Sequence, residues 1–510
     1  MNKHAWWITT LASALLSLGL VSDAAAMCGC MLSRRPPAPT ERGALLNKAT
    51  VVVMLRDGTH TVLSFQNDYF GPAEDFALIV PVPVVLGDDD VTTLDAGLFD
   101  RVQAVAAPHM VELYEQPPCP SRRRPRSSGG MLMDALGGSG AASRGGGAPP
   151  RPAVVVEAQF QEGEYDITIL GASDSTALES WLGNHGYHLP QGASRVFRPY
   201  VEQGMKFFVA RVDVGRLRQV AARRRQQLAR SRRWMQRSLG QLIEGPSVPD
   251  ASDPNLGRFL SPLRIHYESE EFALPVRLGL LNSSGEQDLV VHVLSPEGRY
   301  ELANYGNRTV PTNVRVNGRA AQNFGRFYDS FFGALSGRAP RRVWTEYAGP
   351  ITPVQANPGC VGCGRLGLAQ PDLEALGESL VPHEGTRLSQ YTLTRLHYRY
   401  GRRGLPNDLV FRPASPMAGG IESATARRLS VQSRRSNENG FRVRFIAQHR
   451  WRGPSTCSNP RRGRWGSRSP GGSYAASEHT EWPSERPIPL GAWIRSTVPQ
   501  LGIRRPQRSR

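Results

Sequence analysis

The hydrophobic positions of this chain come in short runs, and most of them read as strands. Residues 51–55 and 59–65 are β-rich and are joined through Arg56-Asp57-Gly58, where Asp-Gly supplies the positive φ angles of a tight hairpin turn. Residues 76–86 form a further strand, with Pro81 and Pro83 placing it at an edge or a bulge. Residues 94–107 carry a helical pattern stopped by Pro108. Residues 153–160, 165–170 and 205–213 read as strands. Between the last two, Asp174 caps a helix with Leu178, Trp181 and Leu182 on one face, ended near Gly186. Residues 120–152 are a low-complexity Arg, Gly, Ser and Pro stretch that reads as a loop.

Residues 216–242 break this pattern. They hold nine arginines, among them Arg223, Arg224, Arg225, Arg232 and Arg233, and no acid. Ala221, Leu228, Met235 and Leu242 recur every seven residues, so a helix here carries a narrow apolar seam flanked by positive charge. A solvated surface helix is one reading. Contact with an anionic lipid surface or envelope polymer is another, and nucleic acid is disfavoured because export removes the usual target and Trp234 alone gives no aromatic interleaving.

Five short motifs occur twice in the same order. Glu74-Asp75-Phe76-Ala77-Leu78 answers to Glu270-Glu271-Phe272-Ala273-Leu274. Val111-Glu112-Leu113-Tyr114, after a helix, answers to Val343 through Tyr347, also after a helix. Residues 165–170 answer to 391–396, Val196-Phe197-Arg198-Pro199 to Val410-Phe411-Arg412-Pro413, and Phe208-Val209-Ala210-Arg211 to Phe445-Ile446-Ala447-Gln448. The expectation is an α+β protein of two related modules, each a mostly antiparallel sheet with a few helices. Its segments are a signal peptide (1–26), a Cys/Pro-rich lead (27–49), module 1 (50–213), an Arg-rich helical connector (214–257), module 2 (258–450) and a basic, largely irregular tail (451–510). A cleft between the modules is the default place for a ligand.

Export changes how the rest reads. Residues 5–20 are an apolar run behind Lys3 and His4, and Ala24-Ala25-Ala26 offers a small-residue cleavage site between Ala26 and Met27. No later stretch approaches the ~18 apolar residues of a membrane span, so the mature chain is expected to lack a transmembrane segment. Six cysteines follow: Cys28, Cys30, Cys119, Cys360, Cys363 and Cys457. An even number in an oxidising compartment points to disulfides, whose connectivity the sequence leaves open. Cys360-Val361-Gly362-Cys363 also has redox or half-zinc-site spacing, but no helix start follows it and no second such pair exists.

A length of 510 residues, 40% hydrophobic and 21% charged, suits two or three globular domains and excludes wholesale disorder. The net charge is +18, and arginine outnumbers lysine 59 to 3. The charge is uneven: residues 395–510 hold 23 arginines against six acids. The basic end could steer the protein to anionic surfaces, and an arginine-rich genome explains the same bias without a ligand.

Familiar catalytic motifs are missing. No lysine completes a P-loop or S-x-x-K, no G-x-S-x-G occurs, and His383-Glu384 lacks the second histidine of a zinc protease. Gly362 through Gly367 matches G-x-G-x-x-G, but Pro371 follows where a helix should begin. Asp88-Asp89-Asp90 lacks the glycine and distal glutamate of a calcium loop, and His185 and His188 lack a third ligand. No cofactor and no metal are expected.

Asn67-Asp68-Tyr69 with residues 71–83 (GPAEDFALIVPVP) resembles the DUF2330 family of exported bacterial proteins of unknown function. So do Phe197-Arg198-Pro199-Tyr200 with residues 204–210, and residues 260–285. The resemblance implies export, from a Gram-negative bacterium, to the periplasm, the cell surface or the medium, and brings no catalytic residues with it. The expectation is therefore a non-enzymatic, disulfide-stabilised envelope or secreted protein that binds a partner or polymer. The alternatives are an exported hydrolase with a carboxylate or histidine site in the cleft, or a thiol-redox protein using Cys360 and Cys363.

Overall fold

The computed structural model describes residues 30–33, 46–70, 76–119, 153–190, 192–224, 226, 260–282, 286–316, 320, 323–352, 367–382, 387–401, 403–420 and 430–466. The signal peptide with its Ala26–Met27 junction, Cys28, the 120–152 loop, Arg225, Arg232, Arg233, Cys360 and Cys363 lie outside them.

The fold is α+β and mostly antiparallel. One sheet has five strands in the order β1 (Cys30–Ser33), β4 (Phe76–Val82), β9 (Lys206–Val212), β8 (Tyr165–Ala172) and β7 (Val154–Glu162), each antiparallel to its neighbours. The large sheet runs β20 (Arg434–Arg435), β19 (Met417–Gly419), β21 (Gly440–Arg442), β16 (Arg342–Pro350), β17 (Thr392–Tyr400), β12 (Gln287–Ser295), β2 (Leu46–Asp57), β3 (His60–Phe70), β10 (Leu263–Glu268) and β5 (Val91–Thr93), with β14 (Gly306–Thr309) beside β16. Two small sheets complete it. One is β11 (Ala273–Leu274), β18 (Leu409–Pro413) and β13 (Tyr300–Leu302); the other is β15 (Val314–Val316), β22 (Arg444–His449), β6 (His109–Glu115) and β23 (Trp465–Gly466).

The β2–β3 hairpin turns at Gly58, whose φ of +55° is the left-handed value the Asp-Gly pair calls for. Both faces of β2 are buried over Val52–Leu55, which is why this stretch is a continuous apolar run, and the facing part of β3 buries Thr61 and Ser64 as well as its apolar residues. Val52, Met54, Leu63 and Phe65 face the five-stranded sheet, meeting Leu78, Val80, Ile167, Ile169 and Phe208. Val53, Leu55 and Val62 face the other way, onto Leu98, Phe99 and Val102 of helix α1 (Ala96–Ala106) and onto Leu373. The far side of the five-stranded sheet is covered by α2 (Ser175–Asn184) and α3 (Ala193–Glu202), through Leu178, Leu182, Phe197 and Tyr200 packed on Ile79, Phe207 and Val209. The core is thus four layers, helix, sheet, sheet and helix, and each fully buried large apolar side chain contributes about 1.5–3 kcal/mol.

Local signals act as expected. Asp174 caps α2, its Oδ1 accepting from Ala177 N at 2.7 Å, and Gly186 takes φ +85° just past the helix end. Among the described residues β1 pairs with β4 as far as Ile79, while β9 pairs with β4 through Pro81 to Val82. The strand stops at Val82 rather than 86, because Pro83 cannot donate to a ladder. Helix α4 (214–224) opens at Asp213, whose Oδ1 accepts from Arg216 N at 2.8 Å, and buries Leu217 and Ala221 in the core.

The two related stretches are interlocked. β2 pairs in parallel with β12 from Leu289↔Thr50 to Leu294↔Leu55, and β10 adds to β3. The repeated motifs agree as elements in most places: helix α1 precedes β6, and α5 (Phe324–Ser336) precedes β16. One pair differs. Residues 196–199 lie in helix α3, where Phe197 and Tyr200 both face inward, whereas residues 410–413 lie in β18 between β11 and β13. Sheet order differs as well, since β4, β9 and β8 are neighbours while β11, β22 and β17 sit in three different sheets.

Candidate functional site

A cleft of about 460 Å³ opens where the two stretches meet. The chain leaving β10 follows it through bends at Glu270 and Glu271 into β11, and Tyr267, Ser269, Glu271, Ala273 and Pro275 all line it. Opposite stand Pro81 and Pro83 at the end of β4, and Tyr200, Gln203 and Met205 around the end of α3. Arg277, Asn304, Asn407, Asp408 and Val410 close the remaining side.

Asp408 ties the walls together. Its Oδ1 accepts from Tyr200 OH at 2.8 Å and from the backbone N–H groups of Val276 at 2.8 Å and Arg277 at 3.0 Å. Burial and the Asp408 carboxylate together push the Tyr200 phenol well above its ordinary range. The Arg277 guanidinium lies over the Tyr200 ring at 5.5 Å, with Nε 3.7 Å from Asp408 Oδ2. Asn304 Nδ2 donates to Asp408 O at 2.7 Å, and its Oδ1 accepts from Val410 N at 3.2 Å. These groups are spent on building the cleft. Gln203, Glu271 and Asn407 are exposed at its rim.

A second polar centre is sealed beneath α5. Glu346 is fully buried on β16, with Oε1 2.7 Å from His397 Nδ1 and Oε2 accepting from Arg395 Nε at 2.5 Å. Tyr328 OH also donates to Glu346. His397 Nε2 lies 3.0 Å from Asp288 Oδ1, which receives Arg399 Nε at 2.7 Å. Phe332 stacks on the His397 ring at 3.6 Å. Every charge here meets an opposite charge, so the network fastens α5 to the large sheet. The hydrolase alternative calls for perturbed acids and histidines in the cleft; this perturbed cluster lies in the core instead.

Among the cysteines, Cys119 and Cys457 form a disulfide with Cα atoms 5.7 Å apart. Among the described residues Cys30 has no disulfide partner; it is wholly buried in β1, and burial pushes its thiol pKa far up. The disulfide sits beside an ordered start to the basic tail. Glu115 accepts from Trp451 N at 3.0 Å and from Gly463 N at 2.8 Å, and β23 pairs with β6. Of the arginine candidates, Arg223 is exposed, while Arg224 turns inward with Nη2 3.4 Å from Ser261 Oγ. Arg216, in the same helix, is paired with Asp166. Among the described residues no group of three or more His, Cys, Asp or Glu side chains could hold a metal ion. His185 instead stacks on Trp181 at 3.6 Å, and Asp90 Oδ2 accepts from Gly87 N at 2.8 Å. No described helix is long and apolar enough to cross a membrane.

Sequence reasoning expected a cleft between the stretches but assigned no residue to it; Pro81, Pro83, Glu271, Ala273 and Val410 were singled out only as strand or repeat residues. The run from Tyr267 to Pro275, ending on a proline, was the signal available.

No curated protein and no solved structure matches the chain. A family model for an uncharacterized protein conserved in bacteria matches residues 22–225 and 248–412, well over half of the sequence. The match skips residues 226–247, inside the arginine-rich segment. With this coverage, and with the motifs at residues 67–83, 197–210 and 260–285 all inside it, the chain belongs to the DUF2330 family of bacterial proteins.

Proposed function

We propose that this is an exported, disulfide-stabilised protein that binds a ligand in the cleft between its two stretches and does not transform it. The observation that carries the reading is the way Asp408 is used. Its carboxylate accepts from Tyr200 and from two backbone N–H groups, so it braces the walls and is not available as a base. That leaves Glu271 as the accessible carboxylate of the lining, where acid–base hydrolysis typically needs two groups in complementary states. A braced, preformed cleft of this size suits small-molecule binding.

The test is a thermal-shift screen of the oxidised, signal-free protein against a mixed library of sugars, peptides, amino acids and anions, repeated on Ala273→Trp, which fills the cleft. A ligand that raises the melting temperature of the parent and not of the variant supports the reading. Ligands that shift both proteins equally, or chemical turnover of a bound ligand, overturn it.

A second reading rests on the tail, where Arg450, Arg452, Arg461, Arg462 and Arg464 are all exposed close to the disulfide. Such a surface suits an anionic envelope polymer or lipid. Retention on envelope fractions should then fall steeply as salt rises, and salt-insensitive retention rules it out.

A further inference from the structure

The side chains left over after the cleft has been built define a ligand class, given the binding reading above on which this inference rests. Exposed at the rim are the amides of Gln203 and Asn407 and the carboxylate of Glu271. An amide both donates and accepts, and a carboxylate accepts strongly. Between them lie flat or rigid apolar surfaces, the Tyr267 ring and the rings of Pro81 and Pro275. Ala273, between Glu271 and Pro275 along this wall, has a side chain small enough to leave room for a ligand over it.

The charge balance disfavours an anion. Arg277 has its Nε 3.7 Å from Asp408 Oδ2 and donates Nη1 to Pro406 O at 3.3 Å, so its charge is answered within the wall. Glu271 then leaves the lining with a net negative charge. A ligand of many neutral hydroxyls with an apolar face meets all these conditions, since its hydroxyls pair with amide and carboxylate while its C–H face rests on Tyr267 or proline. We propose that the cleft binds a short neutral saccharide, with Glu271, Asn407 and Gln203 as the polar contacts and Tyr267 as the stacking surface. A volume of about 460 Å³ accommodates one or two sugar rings, within the range of about 300–1,000 Å³ common to small-ligand sites.

Isothermal titration of the oxidised, signal-free protein with cellobiose, maltose and N,N′-diacetylchitobiose tests this, with digalacturonate and spermidine as charged comparisons. At least one neutral disaccharide should saturate the protein, and neither charged probe should bind more tightly. Glu271→Ala and Asn407→Ala should each weaken that binding about tenfold, equivalent to about 1.4 kcal/mol, with melting temperatures unchanged because both side chains are exposed. Absence of neutral-sugar binding, preference for a charged probe, or insensitivity to both substitutions overturns the inference. The Ala273→Trp screen separates the two failures. If a non-sugar ligand is lost in that variant, the cleft still binds and only the saccharide class falls; if no ligand responds to it, the binding reading falls too.

Discussion

His397 and Glu346 form a buried pair with Nδ1 and Oε1 2.7 Å apart. Burial alone would neutralise both, and the pairing overrides it. The Glu346 carboxyl is held down at about 2, against burial, by His397 and Arg395. The His397 imidazole is raised, again against burial, by Glu346 and Asp288. A raised histidine contributes stability fully below its unfolded value of about 6.5 and loses it as pH climbs through the folded value. A lowered carboxyl contributes above about 4.5 and loses it as pH falls toward 2. The pair is therefore strongest between about pH 4.5 and 6.5. His397→Gln should cost about 3–5 kcal/mol in that window and less at pH 9, measured by urea unfolding of variant and parent at both. An equal cost at both pH values would contradict the ion pair.

His109 and His292 act in the opposite direction. Burial and the neighbouring Arg442 lower the His109 imidazole to about 4, and burial with Arg395 holds His292 well below its ordinary value. A lowered histidine stabilises the fold above about 6.5, and that contribution is lost as pH falls toward the folded value. Each such proton steepens the acid limb by about 1.4 kcal/mol per pH unit. His109→Gln should flatten the fall in stability between pH 6.5 and 4.5, as followed by denaturant midpoints. An unchanged slope would show that His109 protonates freely in the fold.

Cys119 and Cys457 are 338 residues apart in sequence. Reduction, or Cys457→Ser, should lower stability by about 2–4 kcal/mol. Because Glu115, β23 and the disulfide hold the same segment, proteolysis should then cut first within residues 451–466. Protection of that segment after reduction would mean that its hydrogen bonds suffice without the sulfur link.

At the cleft, Tyr200→Phe removes one of three donors to Asp408 Oδ1 and should cost about 1 kcal/mol. Asp408→Ala leaves the Tyr200 hydroxyl and two backbone N–H groups without their acceptor, so a loss of about 3 kcal/mol is expected. Calorimetric unfolding of the two variants should preserve that order. A larger loss for Tyr200→Phe would place the bracing in ring packing rather than in the carboxylate.

Much of the local structure was legible because its causes are local. Asp57-Gly58 makes the hairpin, and Asp174 and Gly186 bound α2, each through interactions within a few residues. Helix α3 escaped because Phe197 and Tyr200 are spaced for a helix, while the surrounding motif, repeated at residues 410–413, is a strand elsewhere in the same chain. There, pairing between β11 and β13 overrides any local preference.

The sequence by itself determined the α+β character, the strands around residues 51–65, 76–82, 153–170 and 205–213, and the two related stretches. Those depend on periodicity, turn chemistry and composition, which can be read residue by residue. Only the tertiary structure decided that β2 lies beside β12, that Cys457 chooses Cys119, that Glu346 meets His397 and that Asp408 braces Tyr200. Each joins residues far apart in sequence, and the choice of partner follows from both faces of the central strands being buried at once. A strand that must be covered on each side accepts only neighbours that complete both cores, and no local pattern encodes which distant strand does so.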